Sequence, residues 1–202
     1  MTIGIIGSGA MGSGIAQVAA ENGCVVYVND NREEALQTAS GRLKALMKKL
    51  VAKDKRTQEQ ADNILENIHY TSKAEDLEHC DLVIEAIVES LEVKKEVFRW
   101  LEKIVSEDCI LATNTSSLSI SAIAAACHKP ERVIGIHFFN PAPLMPLVEI
   151  IPALQTAAQV IEKSKALIDS WGKVTVMAKD TPGFIVNRVA RPFYGEALRI
   201  HE

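Results

Sequence analysis

"TIGIIGSGAMGSGIAQVAAENGCVVYVND", residues 2–30, reads as strand, glycine turn, helix and strand without a wasted position. "TIGII" is a short apolar run of the kind a parallel strand shows when both of its faces are covered. The helix that follows stops at Asn22-Gly23, a normal C-terminal signal, and "CVVYVND" supplies the second strand. Between the first strand and the helix, Gly7, Gly9 and Gly12 stand in the G-x-G-x-x-G spacing. Gly7 allows a tight turn, Gly9 lets a backbone approach a pyrophosphate, and Gly12 permits close packing of helix on strand. The helix N-terminus adds amide donors and positive dipole. The spacing therefore predicts a dinucleotide site. Asp30 ends the second strand near the ~20-residue distance at which a carboxylate holds ribose hydroxyls. It would also repel a 2′-phosphate, which favours NAD over NADP. Asp30 equally suits an N-cap for the next helix, and the neighbouring Arg32 leaves room for NADP.

Outward from this unit, further apolar runs fall at 81–87, 109–113, 132–139, 147–151 and 173–178. Most are separated by helical patterns, at 90–104, 118–127 and 156–171. Such alternation predicts an α/β fold with a Rossmann-like doubly wound sheet, mostly parallel in its first half. From 32 to 67 the pattern is helical throughout, and "AKDKRT" breaks it, so a helical hairpin is inserted after the second strand. Leu43, Leu46, Met47, Leu50 and Val51 mark its apolar face. Its residues 42–56 carry seven basic side chains, Lys49 among them, against one acid. That segment suits a solvated helix face and, alternatively, a landing place for a phosphate-bearing substrate. Pro182 and Gly183 punctuate the chain again, and residues 184–202 read as helix interrupted at Pro192, with Leu198 and Ile200 left uncovered. The expected organisation is a dinucleotide-binding domain over 1–183, then the start of a truncated all-helical C-terminal domain, or a segment docking on a partner chain.

Composition narrows the function classes. A net charge of −4 gives no reason to expect nucleic acid. No apolar stretch approaches the ~20 residues that span a bilayer. The N-terminus carries no basic or Arg-rich targeting segment, which suits a cytoplasmic protein. The four cysteines are scattered and no histidines stand at i, i+4, so neither a disulfide frame nor a metal site is expected.

Chemistry is expected at the carboxyl ends of the strands. Three polar features fall there: the "NTSS" turn at 114–117, His137 late in the run 132–139, and Glu149 inside "LVEII". A buried carboxylate without a partner would protonate or find one. If Glu149 bonds one nitrogen of His137, it fixes the tautomer and leaves the other nitrogen to take a proton from a substrate hydroxyl. Alcohol oxidation by NAD needs that proton loss together with hydride loss to the nicotinamide.

Five motifs in order, "GSGAMGSGIA", "VIEAIVESLEVKKEVF", "ATNTSSLSI", "GIHFFNPAPLMPLVEI" and "DTPGFIVNRV", resemble the NAD-binding domain of L-3-hydroxyacyl-CoA dehydrogenases over nearly the whole chain. The resemblance implies reversible oxidation of L-3-hydroxyacyl-CoA to 3-ketoacyl-CoA, as in fatty-acid β-oxidation. His137 would be the base and Glu149 its partner, with Ser116 and Asn187 at the reacting oxygen. Asn140 would lie near the nicotinamide, Glu89 and Lys94 at the cofactor, and the hairpin, with Lys49, near the CoA. It also implies a homodimer formed through the C-terminal domain. "WGK" and "VNRVARPFY" are similar to bacterial members acting on short-chain or 3-hydroxyadipyl thioesters. Read as residues alone, Ser116 or Ser117 equally suits an N-cap for helix 118–127, Asn187 a first-turn helix residue, and Lys94 a solvated lysine. An NAD-binding module without turnover, or another β-hydroxyacid dehydrogenase, are the alternative functions; the second would be expected to use a lysine base.

Overall fold

The apolar runs become the strands of one eight-stranded sheet in a computed structural model that describes residues 1–201. Glu202, the last residue of the expected final helix, lies outside the described residues. β1 (Thr2–Ile6) leads through α1 (Ala10–Glu21) to β2 (Val25–Asn29), as the opening stretch requires. The hairpin follows as α2 (Glu33–Val51) and α3 (Gln58–Glu66). Its turn has a cause in the sequence: Asp54 adopts a positive φ of 53°, and Thr57 with Gln60 forms a capping box that starts α3. Leu43 and Met47 of α2 are buried, whereas Leu46 of the expected apolar face is 39% exposed.

Then come β3 (Ile68–Thr71), β4 (Leu82–Glu85), α4 (Leu91–Leu101), β5 (Ile110–Thr113) and α5 (Ile120–Ala124). The chain continues through β6 (Val133–Phe138), β7 (Leu147–Pro152), α6 (Ala158–Ser170), β8 (Val174–Met177) and α7 (Val186–His201). The strand order is β3-β2-β1-β4-β5-β6-β7-β8. Every neighbouring pair is parallel except β6 with β7. One apolar layer, including Ile3, Ile5, Ile15, Val26 and Met47, packs under α1 and α2. Another, with Val83, Phe98, Leu101, Leu111 and Ile123, packs under α4 and α5. The chain winds outward from β1 in one direction and resumes at β4 in the other, which opens a crevice at the carboxyl ends of β1 and β4.

Three details depart from expectation. β3 is an unanticipated strand: "IHYT" buries only its first and last residues, too short a pattern to register, yet it pairs with β2. α5 occupies five residues within the helix expected over 118–127. Its N-cap is Ser119, whose hydroxyl accepts from the Ala122 amide, so neither Ser116 nor Ser117 serves as the cap. It ends early because the amides of His128 and Lys129 donate to the Glu102 carboxylate and draw the chain away. Finally, α7 runs unbroken through Pro192. None of its described residues is buried, so water can serve the carbonyl that the proline leaves without its amide. Among the described residues no helix is long and apolar enough to cross a membrane.

Candidate active site

The glycine turn between β1 and α1 forms one wall of the crevice, and its three glycines have separate reasons. Gly7 adopts φ of +102°, and a Cβ there would meet the Ala86 carbonyl oxygen at 2.8 Å. A Cβ on Gly12 would stand 1.9 Å from the Gly7 oxygen, so only glycine lets the helix start this close to the strand. Gly9 differs, because a Cβ there would meet nothing within 4 Å. It faces open space, the room a pyrophosphate needs at the mouth of α1.

Beside this turn lies a cleft of about 620 Å³ lined by Gly7, Gly9, Asp30, Arg32, Val93 and Trp100 among others. Asp30 follows β2 and does not cap α2, whose N-cap is Arg32. Its Oδ2 accepts from the Ser8 amide at 3.0 Å and the Ser8 hydroxyl at 2.8 Å, and its Oδ1 accepts from the Arg32 amide at 3.1 Å. Burial pushes this carboxyl up, but the Ser8 and Arg32 bonds outweigh burial and hold it below the ordinary carboxylate value.

A second cleft, of about 410 Å³, meets the first at Ala86 and Ile87. It is lined by Met11, Glu89, Lys94, Asn114, Ser116, His137, Asn140 and Asn187 among others. His137 and Glu149 stand twelve residues apart in the chain but directly opposite each other in the antiparallel β6–β7 pair. His137 Nδ1 lies 2.7 Å from Glu149 Oε2. Glu149 is fully buried, and its Oε1 accepts from the amides of Ile185 at 3.0 Å and Val186 at 2.9 Å. Burial raises the carboxyl, while His137 and the two amides lower it more, so the net shift is downward and Glu149 is ionised. An ionised carboxylate only accepts hydrogen bonds. In the neutral ring the proton therefore sits on Nδ1, which leaves the lone pair on Nε2. The ring is held between Phe139 and Phe184, with centroids at 4.5 and 5.8 Å.

The "NTSS" turn lines the same cleft through Asn114 and Ser116. Glu89 Oε1 accepts from Thr115 Oγ1 at 2.5 Å, the Ser116 amide at 3.0 Å and Ser116 Oγ at 3.4 Å. Asn187 Nδ2 donates to the Ser116 carbonyl at 3.2 Å, which ties the start of α7 to the turn. Lys94, far from solvated, is only 1% exposed, with Nζ 2.6 Å from Glu85 Oε1 and 3.4 Å from Glu89 Oε2.

Thus His137, Glu149, Ser116, Asn187, Asn140, Glu89 and Lys94 converge at one cleft and its wall, while Gly7, Gly9 and Asp30 line the adjoining one and Gly12 sets the turn between. Lys49 does not join them; it is exposed on α2 and borders neither cleft. Two residues, Glu85 and Ser8, escaped the sequence reading, and a third, Asn114, is marked there only as part of the "NTSS" turn. Glu85 is fully buried at the end of β4, and an acid inside the apolar run "DLVIEAI" carried the same signal that singled out Glu149. Asn114 accepts the Phe138 amide at 2.8 Å and so braces the strand end beside His137. Ser8 holds Asp30, and nothing in a glycine-rich turn marks one serine for that task. Among the described residues no group of three or more His, Cys, Asp or Glu side chains is arranged to hold a metal.

A mostly parallel sheet with a glycine turn at its crevice defines a dinucleotide-binding domain, here with a hydrogen-bonded histidine–carboxylate pair at the same edge. Residues 2–181 match the family model described as "3-hydroxyacyl-CoA dehydrogenase, NAD binding domain", and the chain belongs to that family. The 3-hydroxyadipyl-CoA dehydrogenase of Escherichia coli K12 is 49% identical over 201 residues, covering 100% of this chain and 42% of that protein. The 3-hydroxybutyryl-CoA dehydrogenase of Clostridioides difficile is 42% identical over 201 residues, covering 100% of this chain and 72% of that one. A crystal structure of 3-hydroxybutyryl-CoA dehydrogenase from E. coli K12 superposes with a TM-score of 0.96 at 49% identity, over 98% of this chain and 42% of that one. The chain thus spans less than half the length of these E. coli relatives. The cofactor of the family domain is NAD, and the open space at Gly9 and the cleft containing Asp30 fit it.

Proposed function

We propose that this chain carries the cofactor site and the acid–base pair of an NAD-dependent oxidoreductase that interconverts L-3-hydroxyacyl-CoA and 3-ketoacyl-CoA. The observation that carries the reading is the 2.7 Å bond between His137 and a buried Glu149 at the cleft that adjoins the dinucleotide crevice. His137 Nε2 removes the proton of the substrate hydroxyl, and Glu149 stabilises the imidazolium that results. NAD, when bound, supplies the hydride acceptor. Ser116 and Asn187 contact the reacting oxygen, and the Asn187–Ser116 bond keeps these two groups in register. Asn140, Glu89 and Lys94 hold the nicotinamide end, while Asp30 holds the adenosine ribose. The charge on Asp30 opposes a 2′-phosphate, which supports NAD over NADP.

The substrate class extends the same proposal. Relatives named for 3-hydroxyadipyl-CoA and 3-hydroxybutyryl-CoA support a short-chain or dicarboxylic acyl group, in β-oxidation or a related CoA-thioester pathway of the cytoplasm. Lys49 and its basic neighbours on α2 are assigned to the CoA phosphates. Division of the chain near residue 183 into a cofactor domain and a helical domain that makes a homodimer is supported by α7. That helix exposes Val189, Phe193, Leu198 and Ile200. The test is NADH consumption with acetoacetyl-CoA by the full gene product containing this chain. Turnover abolished by His137→Gln is expected. Tight NADH binding without turnover would favour a binding module instead, and equal or tighter NADPH binding would overturn the cofactor preference.

A further inference from the structure

The wall of the second cleft holds three charges in contact, and only one of them faces solvent. Lys94 and Glu85 are 1% and 0% exposed at the side chain, whereas Glu89 is 38% exposed. Glu85 is fully engaged. Its Oε1 accepts from Lys94 Nζ at 2.6 Å and the Ile87 amide at 2.7 Å, and its Oε2 accepts from Thr113 Oγ1 at 2.7 Å. Lys94 therefore spends its charge chiefly on Glu85, its nearer partner, and lies farther from Glu89, at 3.4 Å. The cluster sums to one negative charge, carried by the carboxylate that lines the cleft.

A buried ion pair is weak support for stability, because an apolar pair of similar volume commonly serves as well. Something other than stability then accounts for a glutamate at the end of β4, beneath the cofactor wall. We propose that Glu85 is a positioning residue that sets the charge of the nicotinamide cleft. By taking most of the Lys94 charge it leaves the cluster one net negative charge at the cleft, on Glu89, and the site thereby favours the oxidised, positively charged nicotinamide over the reduced, neutral one. The inference rests on the reading that this cleft takes the nicotinamide end of NAD.

The test compares dissociation constants of NAD+ and NADH, by titration calorimetry, in the full gene product and its variants. Glu85→Gln keeps the shape: its amide oxygen accepts from Lys94 and Ile87, and its NH2 donates to Thr113 Oγ1. It takes the cluster to neutrality, and NAD+ affinity is expected to fall about three- to tenfold relative to NADH. Glu89→Gln alters an accessible carboxylate, leaves the core intact, and is expected to move the ratio the same way. Glu85→Met/Lys94→Met restores one negative charge, so its ratio is expected to lie within about twofold of the native value even if both affinities fall. Equal weakening of both forms in folded Glu85→Gln overturns the proposal, as does an unmoved ratio in Glu89→Gln if Glu85→Gln fails to fold. A shifted ratio in the double variant also overturns it. Failure of the unsubstituted protein to bind either form would instead sink the underlying cofactor reading.

Discussion

Replacing Glu149 by glutamine separates what its charge does from what its shape does. The side chain bonds two amides through one oxygen, at 3.0 and 2.9 Å, and His137 Nδ1 through the other, at 2.7 Å. A glutamine has one acceptor oxygen. It satisfies more donors by placing that oxygen against Ile185 and Val186, which turns its NH2 toward Nδ1. Nδ1 must then accept, so the proton of the neutral ring moves to Nε2 and blocks the lone pair that serves as base. The fold should survive. Three charge-assisted bonds become neutral ones, a loss of about 1–3 kcal/mol in total. Turnover should not survive, because forcing a catalytic histidine into the wrong tautomer costs about 10⁴-fold in a Ser-His-Asp protease triad. The assay is NAD+-linked oxidation of L-3-hydroxybutyryl-CoA, with the histidine tautomer read from ¹⁵N chemical shifts. Near-native turnover in Glu149→Gln, or a neutral His137 still protonated at Nδ1, would refute the reasoning.

Further outcomes follow from the His137–Glu149 pair, the glycine turn and Asp30. Glu149→Ala strands three donors at once, the His137 ring and two amides, and should destabilise the chain by about 3–5 kcal/mol in urea unfolding. Because the Glu149 carboxyl is held below its ordinary 4.5, its contribution to stability is present above that pH and is lost as pH falls through the lowered value. Glu149→Gln should accordingly lose less stability than the native chain on acidification below pH 4.5, measured by denaturant melts at each pH. At the glycine turn, Gly9→Ala should fold normally, since its φ of −66° suits any residue and its Cβ meets nothing, yet lose about tenfold or more in NADH affinity. Gly12→Ala drives a methyl into the Gly7 carbonyl, so it should lower the melting temperature as well as abolish binding. Asp30→Ser removes the carboxylate beside Arg32 and should shift preference toward NADPH in paired calorimetric titrations.

Much of this was legible in the sequence because strands, glycines and isolated acids leave strong local marks. The alternation of apolar runs gave seven of the eight strands, and β3 escaped because its four residues bury only their ends. The hairpin was readable from one apolar face and one breaker. The boundary of α5 was not, because it is set by Glu102, from a different helix terminus, reaching the amides of His128 and Lys129. Within the site, His137 and Glu149 could be paired in advance, since a buried acid needs a partner and one strand reversal separates them. Glu85 bears an identical mark, an acid within the apolar run 81–87. Its partner Lys94 sits nine residues on, among other helix lysines, and only packing distinguishes the buried one from the solvated ones. Lys49 shows the opposite limit: a run of basic residues says that a face is charged, not what it faces.

On the proposed function the proton chemistry belongs to His137, whereas dinucleotide affinity rests chiefly on the glycine turn and Asp30. One paired measurement on His137→Gln tests it most directly: kcat for L-3-hydroxybutyryl-CoA oxidation and the dissociation constant for NADH, both in the full gene product. The account predicts that kcat falls by about 10³-fold or more while NADH affinity changes less than about twofold. Retained turnover, or a loss of turnover that merely follows a loss of NADH affinity, would contradict it.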